Sequence, residues 1–107
     1  MDGSKNQFGL SERTINEIIN YFKRNPYVEE VKIYGSRAKR NFRNGSDIDF
    51  AVRLKEGGKA SIIKWDLYTL PTPYKFDVTD YKNLEHEGMK KNIDSDGILF
   101  YQKEEIA

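Results

Sequence analysis

The sequence contains no cysteine and a single histidine, His86. Without cysteine the chain can form no disulfide bond, no thiolate metal ligand and no thiol nucleophile. One histidine cannot form a histidine-rich metal site by itself. These absences exclude disulfide scaffolds, thiol catalysis and metal centres built on cysteine or several histidines.

Long hydrophobic runs and a strong charge of one sign are also absent. No segment approaches the roughly 18 apolar residues of a membrane span, and the N-terminal MDGSKNQFG lacks the apolar centre of a secretory signal. Lys and Arg number 18 against 17 Asp and Glu, so the formal net charge is +1. This balance predicts no general attraction to nucleic acid or to anionic lipid. We therefore expect a cytoplasmic protein with no membrane association and no direct nucleic-acid binding.

The chain of 107 residues is long enough for one domain, and 37% hydrophobic residues are enough for a small core. Residues 1–10 are largely polar and show no periodicity, which predicts a flexible N-terminal arm. We expect residues 11–107 to form a single domain.

Helical and strand patterns alternate along that domain. The apolar spacing of Ile15, Ile18, Ile19 and Phe22 predicts a helix that begins after Ser11 and ends at Asn25-Pro26. Two further helices are predicted over 59–70 and 83–92, and strands over 28–34, 47–54, 74–79 and 98–101. This order predicts an α/β (α+β) fold, in which one sheet is covered by helices.

Three aspartates lie on predicted strands. Asp47 and Asp49 are two residues apart, so their side chains point to the same face about 6.5–7 Å apart. Asp77 can join them if its strand neighbours theirs. Clustered carboxylates repel one another, so such a group favours a divalent cation, and Mg²⁺ suits all-oxygen ligands.

A Gly35-Ser36 turn follows the first predicted strand. Glycine permits close approach of the backbone, and the N–H groups of such a turn can bind phosphate oxygens. The segment that follows is basic, with Arg37, Lys39, Arg40 and Arg43 before the next acidic residue. Cations beside a metal-bound polyphosphate would stabilise the charge that develops in phosphoryl or nucleotidyl transfer.

Residues 35–50, GSRAKRNFRNGSDIDF, resemble the signature of the DNA polymerase β-like nucleotidyltransferases, and most closely that of the minimal nucleotidyltransferases. That signature is Gly-Ser, usually Arg-Ala-Arg-Gly, and then Ser-Asp-x-Asp-Leu. The resemblance extends to Asp77 in KFDVTDY and to the terminal GILFY. This sequence departs from the pattern at Arg40, where the family has glycine, and at Phe50, where it has leucine.

The resemblance implies a role for each matching residue. Gly35 and Ser36 would hold the triphosphate, and Asp47 and Asp49 would bind the metal. Asp77 would be both a metal ligand and the general base. It implies the nucleotidyltransferase fold, in which a small mixed sheet is packed by helices mainly on one face. It also implies Mg²⁺ as cofactor, with two ions possible and Mn²⁺ as a substitute.

Some residues can be assigned to either a site or the scaffold. We expect Arg37 to contact the nucleotide, and leave the other basic residues of its segment unassigned. A second Asp-x-Asp, Asp94-Ser95-Asp96, precedes a glycine and is expected to form a turn. His86 is expected on a helix surface. Trp65, Tyr68 and Tyr74 are expected to pack within the protein rather than stack on a base.

The resemblance also implies substrates and a partner. The most favoured function is transfer of AMP from ATP to a hydroxyl, by analogy a tyrosine of a helical HEPN toxin for which the nucleotidyltransferase is the antitoxin. One alternative is a nucleotide-binding module that covers a helical partner without turnover. Another is a small-molecule nucleotidyltransferase of the aminoglycoside-modifying type, which normally needs a further domain.

Overall fold

The computed structural model describes residues 7–43 and 45–104, which form three helices and a four-stranded sheet. In chain order these elements are α1 (Glu12–Arg24), β1 (Val28–Tyr34), β2 (Ile48–Leu54), α2 (Ala60–Leu67), β3 (Phe76–Asp80), α3 (Glu87–Asp96) and β4 (Ile98–Gln102). The strand order is β3-β2-β1-β4. β1 is antiparallel to both β2 and β4, whereas β2 and β3 are parallel. The predicted mixed sheet is therefore confirmed.

One face of the sheet carries the main hydrophobic core. α1 contributes Ile18 and Phe22 to it, and α2 contributes Ile63 and Leu67. Alternate strand residues such as Phe50 complete the core, and the Phe50 ring packs edge-on against Phe22 with centroids 5.4 Å apart. The alternation read from the sequence thus correctly separates the core face of β2 from the face that bears Asp49.

The opposite face carries a smaller cluster that is covered by α3. Ile93 of α3 is fully buried against Tyr34 and Ala51 of the sheet. Two of the three helices therefore lie on the core face, as expected, and the third lies on the face of the carboxylates. α3 therefore covers only part of that face, and Asp77 on the same face remains exposed.

The N-terminal segment differs from the expected flexible arm. Residues 1–6 lie outside the described residues, but Phe8 and Leu10 are buried in the main core. The Phe8 ring lies 6.3 Å from that of Phe100. Phe8 and Leu10 therefore belong to the structured domain. The sequence did not indicate this, because the residues around them are polar.

Several element boundaries also differ from prediction. Ser11 caps α1 as expected, with its hydroxyl accepting from the Thr14 N–H at 3.2 Å. The third helix begins later, because His86 Nδ1 accepts the Met89 N–H at 3.0 Å and caps α3. The helix also ends later than predicted, so Asp94-Ser95-Asp96 forms its last turn rather than a loop.

The expectation that all three named aromatics pack within the protein is wrong for Trp65. Its side chain is 75% exposed on α2. Tyr68 is also exposed, at 48%, although its ring packs edge-on against Phe76 and its hydroxyl accepts the Phe76 N–H at 3.1 Å. Tyr74 packs on the guanidinium of Arg37, 4.9 Å from the ring centroid.

No helix in the described part of the chain is long and apolar enough to cross a membrane.

Candidate active site

Parallel pairing of β2 with β3 brings two of the three predicted carboxylates together. Asp49 and Asp77 are directly opposite each other in the register. Residues that are opposite in neighbouring strands point to the same face. Asp47 lies two residues before Asp49 at the same end of the sheet and is exposed, as is Asp77. The strand that bears Asp77, β3, therefore neighbours the strand that bears Asp49, β2, as the predicted cluster required.

Gly35 lies against the carboxylate of Asp49. Its φ is +75°, a conformation that favours glycine. A Cβ added at this position would collide with Asp49 Oδ2. Glycine is therefore required twice, for the backbone conformation and for the space that the carboxylate occupies.

The turn that begins at Gly35 forms one helical turn. The Lys39 N–H donates to the Gly35 carbonyl at 3.2 Å, and the Asn41 N–H donates to the Ser36 carbonyl at 3.1 Å. Among the described residues, the N–H groups of Ser36 and Arg37 make no backbone hydrogen bond. Such N–H groups at the start of a helical turn are available to an anion.

Asp49 has a perturbed pKa. Partial burial, followed by the nearby carboxylates of Asp77 and Asp47, raises its pKa from the ordinary 3.8 to about 6. The positive charge of Arg37 offsets only part of this effect. Negative charge thus accumulates at this end of the sheet without full compensation, which is typical of carboxylates that bind a cation.

Tyr34 is a site residue that the sequence reasoning missed. The Tyr34 hydroxyl lies 3.0 Å from the hydroxyl of Thr79. Tyr34 is opposite Asp49 where β1 pairs with β2. Burial, together with the charges of Asp77 and Asp49, raises the pKa of the Tyr34 phenol and keeps it protonated. The signal was present in the alternation of β1, which places Tyr34 on the face opposite the core residues Val31 and Ile33.

Arg37 does not extend into the solvent in front of the carboxylates. It is 2% exposed, and its guanidinium lies between the rings of Phe42 and Tyr74. Its Nε and Nη2 donate to the carbonyl of Ser46 at 3.2 and 2.8 Å, and Nη1 donates to the carbonyl of Phe8 at 2.8 Å. The structure thus uses this side chain to hold the residue that directly precedes Asp47.

Arg40 occupies the position where the related signature has glycine. Its φ is +63°, and it is the only residue other than glycine with positive φ in the described part of the chain. The left-handed conformation costs an ordinary L-residue about 1 kcal/mol. The loop has therefore kept the backbone geometry that glycine favours although the side chain has changed.

The fit of a metal to this site can be judged from its donors. Within residues 7–43 and 45–104 no three acidic or histidine side chains converge closely enough to hold a metal ion. The available donors are carboxylate oxygens, the ligands of hard cations such as Mg²⁺. The three aspartates thus suit a divalent cation chemically, but as an incomplete set that needs further oxygen ligands.

Comparison with known proteins identifies the family. The family model for Polymerase beta, Nucleotidyltransferase, matches residues 16–106. The chain therefore belongs to this nucleotidyltransferase family. No curated protein matches the chain.

Solved structures agree with this assignment at the level of the fold. A toxin–antitoxin structure with AMP-PNP matches with a TM-score of 0.65 and 18% identity, over 92% of this chain and 75% of that chain. The toxin–antitoxin MntA-HepT matches with a TM-score of 0.64 and 17% identity, over 86% and 73% of the two chains. The resemblance in residues 35–50 and the predicted fold class are thus confirmed.

Proposed function

We propose that the protein transfers AMP from ATP to a hydroxyl group with the help of Mg²⁺. The observation that carries this proposal is the register of β2 and β3, which sets Asp49 opposite Asp77 while Gly35 abuts the Asp49 carboxylate. Acid oxygens and free turn N–H groups therefore meet at one end of the sheet. This combination suits a nucleoside triphosphate and a divalent cation better than either ligand alone.

Each residue has a distinct role in this proposal. Asp47, Asp49 and Asp77 would hold one or two Mg²⁺ ions, or Mn²⁺ in their place, together with phosphate oxygens. The bound metal would neutralise phosphate charge and polarise the phosphorus that is attacked. The N–H groups at Ser36 and Arg37, made accessible by Gly35, would bind the phosphates that leave. The Arg37 side chain would act indirectly, by fixing the loop before Asp47.

The reaction is a substitution at the α-phosphorus of ATP. Asp77 takes the proton of the acceptor hydroxyl, whose oxygen forms the new bond to phosphorus. The bond from the α-phosphorus to the bridging oxygen breaks, and pyrophosphate leaves. Its added negative charge is stabilised by the turn N–H groups.

We further propose that the acceptor is a tyrosine of a helical, HEPN-type toxin, for which this chain is the cytoplasmic antitoxin. The likeness to the fold of MntA-HepT supports this choice. The exposure of Asp47 and Asp77 supports it as well, because a partner would be needed to exclude water from the reacting groups.

Label transfer from α-labelled ATP tests the activity. Asp47→Asn and Asp49→Asn should each abolish transfer to the partner while circular dichroism stays unchanged, because each removes one charge at the site and no core contact. Asp94→Asn is the matched control, since Asp94 belongs to the second Asp-x-Asp and accepts from the Tyr81 hydroxyl as an asparagine oxygen still can. Full activity of the site variants would refute the proposal. A wild type that binds ATP but labels no acceptor would instead favour a nucleotide-binding module.

The partner is tested separately by co-expression with the neighbouring gene product. We expect one peak in size-exclusion chromatography at micromolar concentration. Separate elution of the two proteins would count against the antitoxin role and leave the transfer chemistry intact.

A further inference from the structure

A cleft of about 350 Å³ lies between α3 and the turn that begins at Gly35. Met89 and Asn92 of α3 and its capping residue His86 line one side, and their spacing of three residues places them on one face. Tyr34 and Gly35 line the other side. The cleft therefore shares Gly35 with the proposed triphosphate site, and its volume is within the range of about 300–1,000 Å³ for small-molecule sites.

The charges around this cleft are compensated. Lys39 is the only Lys or Arg that lines it among the described residues, and its Nζ lies 3.4 Å from Asp96 Oδ2, also in the lining. His86 Nδ1 accepts the Met89 N–H at 3.0 Å, so this ring nitrogen is already used within the protein. A site whose one lysine is paired with an aspartate suits an uncharged ligand better than another phosphate.

We propose that this cleft binds the nucleoside part of the substrate nucleotide and that Asn92 selects adenine. This inference rests on the proposed function, because the nucleoside must be joined to phosphates at Gly35 and Ser36. Met89 supplies a flexible apolar surface for the face of the base. The exposed amide of Asn92 makes no side-chain hydrogen bond within the described part of the chain, and it offers one acceptor and two donors.

Adenine is the base whose edge matches such an amide. It presents the N6 amino donor beside a ring-nitrogen acceptor, and asparagine can bind both atoms at once. Asparagine binds adenine at N6 and N7, and along the corresponding edge guanine presents two acceptors, O6 and N7. The amide oxygen would then face an acceptor, and only one of the two hydrogen bonds could form. The site should therefore favour ATP over GTP.

The experiment compares Mg²⁺-dependent binding of ATP, GTP and inorganic triphosphate, by calorimetry with the binding of metal by free ligand subtracted. Asn92→Ala should weaken ATP binding about tenfold or more and reduce the preference over GTP, while leaving triphosphate binding unchanged. Asn92→Trp should block the cleft with the same pattern. Asn20→Ala, the same change at an exposed position of α1, is the matched control and should behave as wild type.

The possible results separate the two proposals. If wild type binds triphosphate as tightly as ATP, or if Asn92→Ala and Asn92→Trp keep the wild-type preference, the nucleoside site is refuted although the transferase proposal survives. If wild type binds neither ATP nor triphosphate, both are refuted. Weaker binding of triphosphate in the Asn92 variants would also overturn the assignment, because it would place the phosphates in the cleft.

Discussion

Replacing Asp49 with asparagine should make the metal-free protein more stable at neutral pH while abolishing its proposed activity. The pKa of Asp49 is raised from 3.8 to about 6 by burial and by the charges of Asp77 and Asp47. Without solvent screening, this rise in pKa corresponds to about 3 kcal/mol in the free energy of unfolding. Because the carboxylate is only partly buried, solvent screening reduces the effect, and we expect about 1–2 kcal/mol.

The sign of the effect follows from proton binding. The folded state binds the Asp49 proton more tightly than the unfolded state does, so the stabilising contribution is complete below about pH 4. It is lost as the pH rises from about 4 through 6, and above that the ionised carboxylate destabilises the fold. Asparagine is similar in shape and carries no charge, so the variant should lack this loss.

Thermal unfolding in EDTA measures the difference. At pH 7.5 the Tm of Asp49→Asn should exceed that of wild type by roughly 4–16 °C, given about 1–2 kcal/mol and about 4–8 °C per kcal/mol for a small domain. The gap should shrink as the pH falls from about 6 to about 4. Mg²⁺ with ATP should raise the Tm of wild type and leave that of the variant nearly unchanged.

Asp94→Asn serves again as the control and should show no gain in Tm. Equal Tm values for wild type and Asp49→Asn at pH 7.5, or a gap independent of pH, would refute the reasoning. In either case burial and the neighbouring carboxylates would not raise the pKa of Asp49 in the folded protein as argued.

Three other predictions concern the loop before β2 and the metal. Arg40→Gly should raise the free energy of unfolding by up to about 1 kcal/mol in urea titrations, because glycine adopts this positive φ without steric strain. A loss of stability would show that the Arg40 side chain makes a stabilising contact. Arg37→Lys should lower the free energy of unfolding by about 2–4 kcal/mol and reduce transfer, since lysine cannot donate to Ser46 and Phe8 together; unchanged unfolding would contradict its anchoring role. Mg²⁺ should bind far more tightly with a non-hydrolysable ATP analogue than without it, and calorimetry that found equal affinities would indicate a preformed metal site.

The elements with strong periodicity were predictable from the sequence, whereas contacts set by tertiary packing were not. Ile15, Ile18 and Phe22 defined α1, and alternation defined β1 and β2. The start of α3 was missed because its cap is His86, a less common capping residue than serine or aspartate. The helix also continues through Asp96, where a turn was expected, and ends at Gly97.

The candidate site was predictable in part, for a similar reason. The spacing of Asp47 and Asp49 follows from strand geometry, and the position of Asp77 required only that β3 should neighbour β2. The burial of Arg37 could not be read from a basic segment, because its partners are backbone carbonyls that carry no sequence signature. The cleft beside α3 likewise depends on how that helix packs over Tyr34 and Ala51.

The parallel pairing of β2 and β3 also affects the order in which the site can form. β1 and β2 pair antiparallel as near neighbours in the chain, so Gly35 can meet Asp49 early in folding. Asp77 reaches Asp49 only after the crossover through α2 has closed, and the α3 side of the cleft comes later still in the chain. A chain emerging from the ribosome therefore presents the turn and the first two acids well before the third. Because the proposed transfer needs Asp77, it can begin only after synthesis has passed β3.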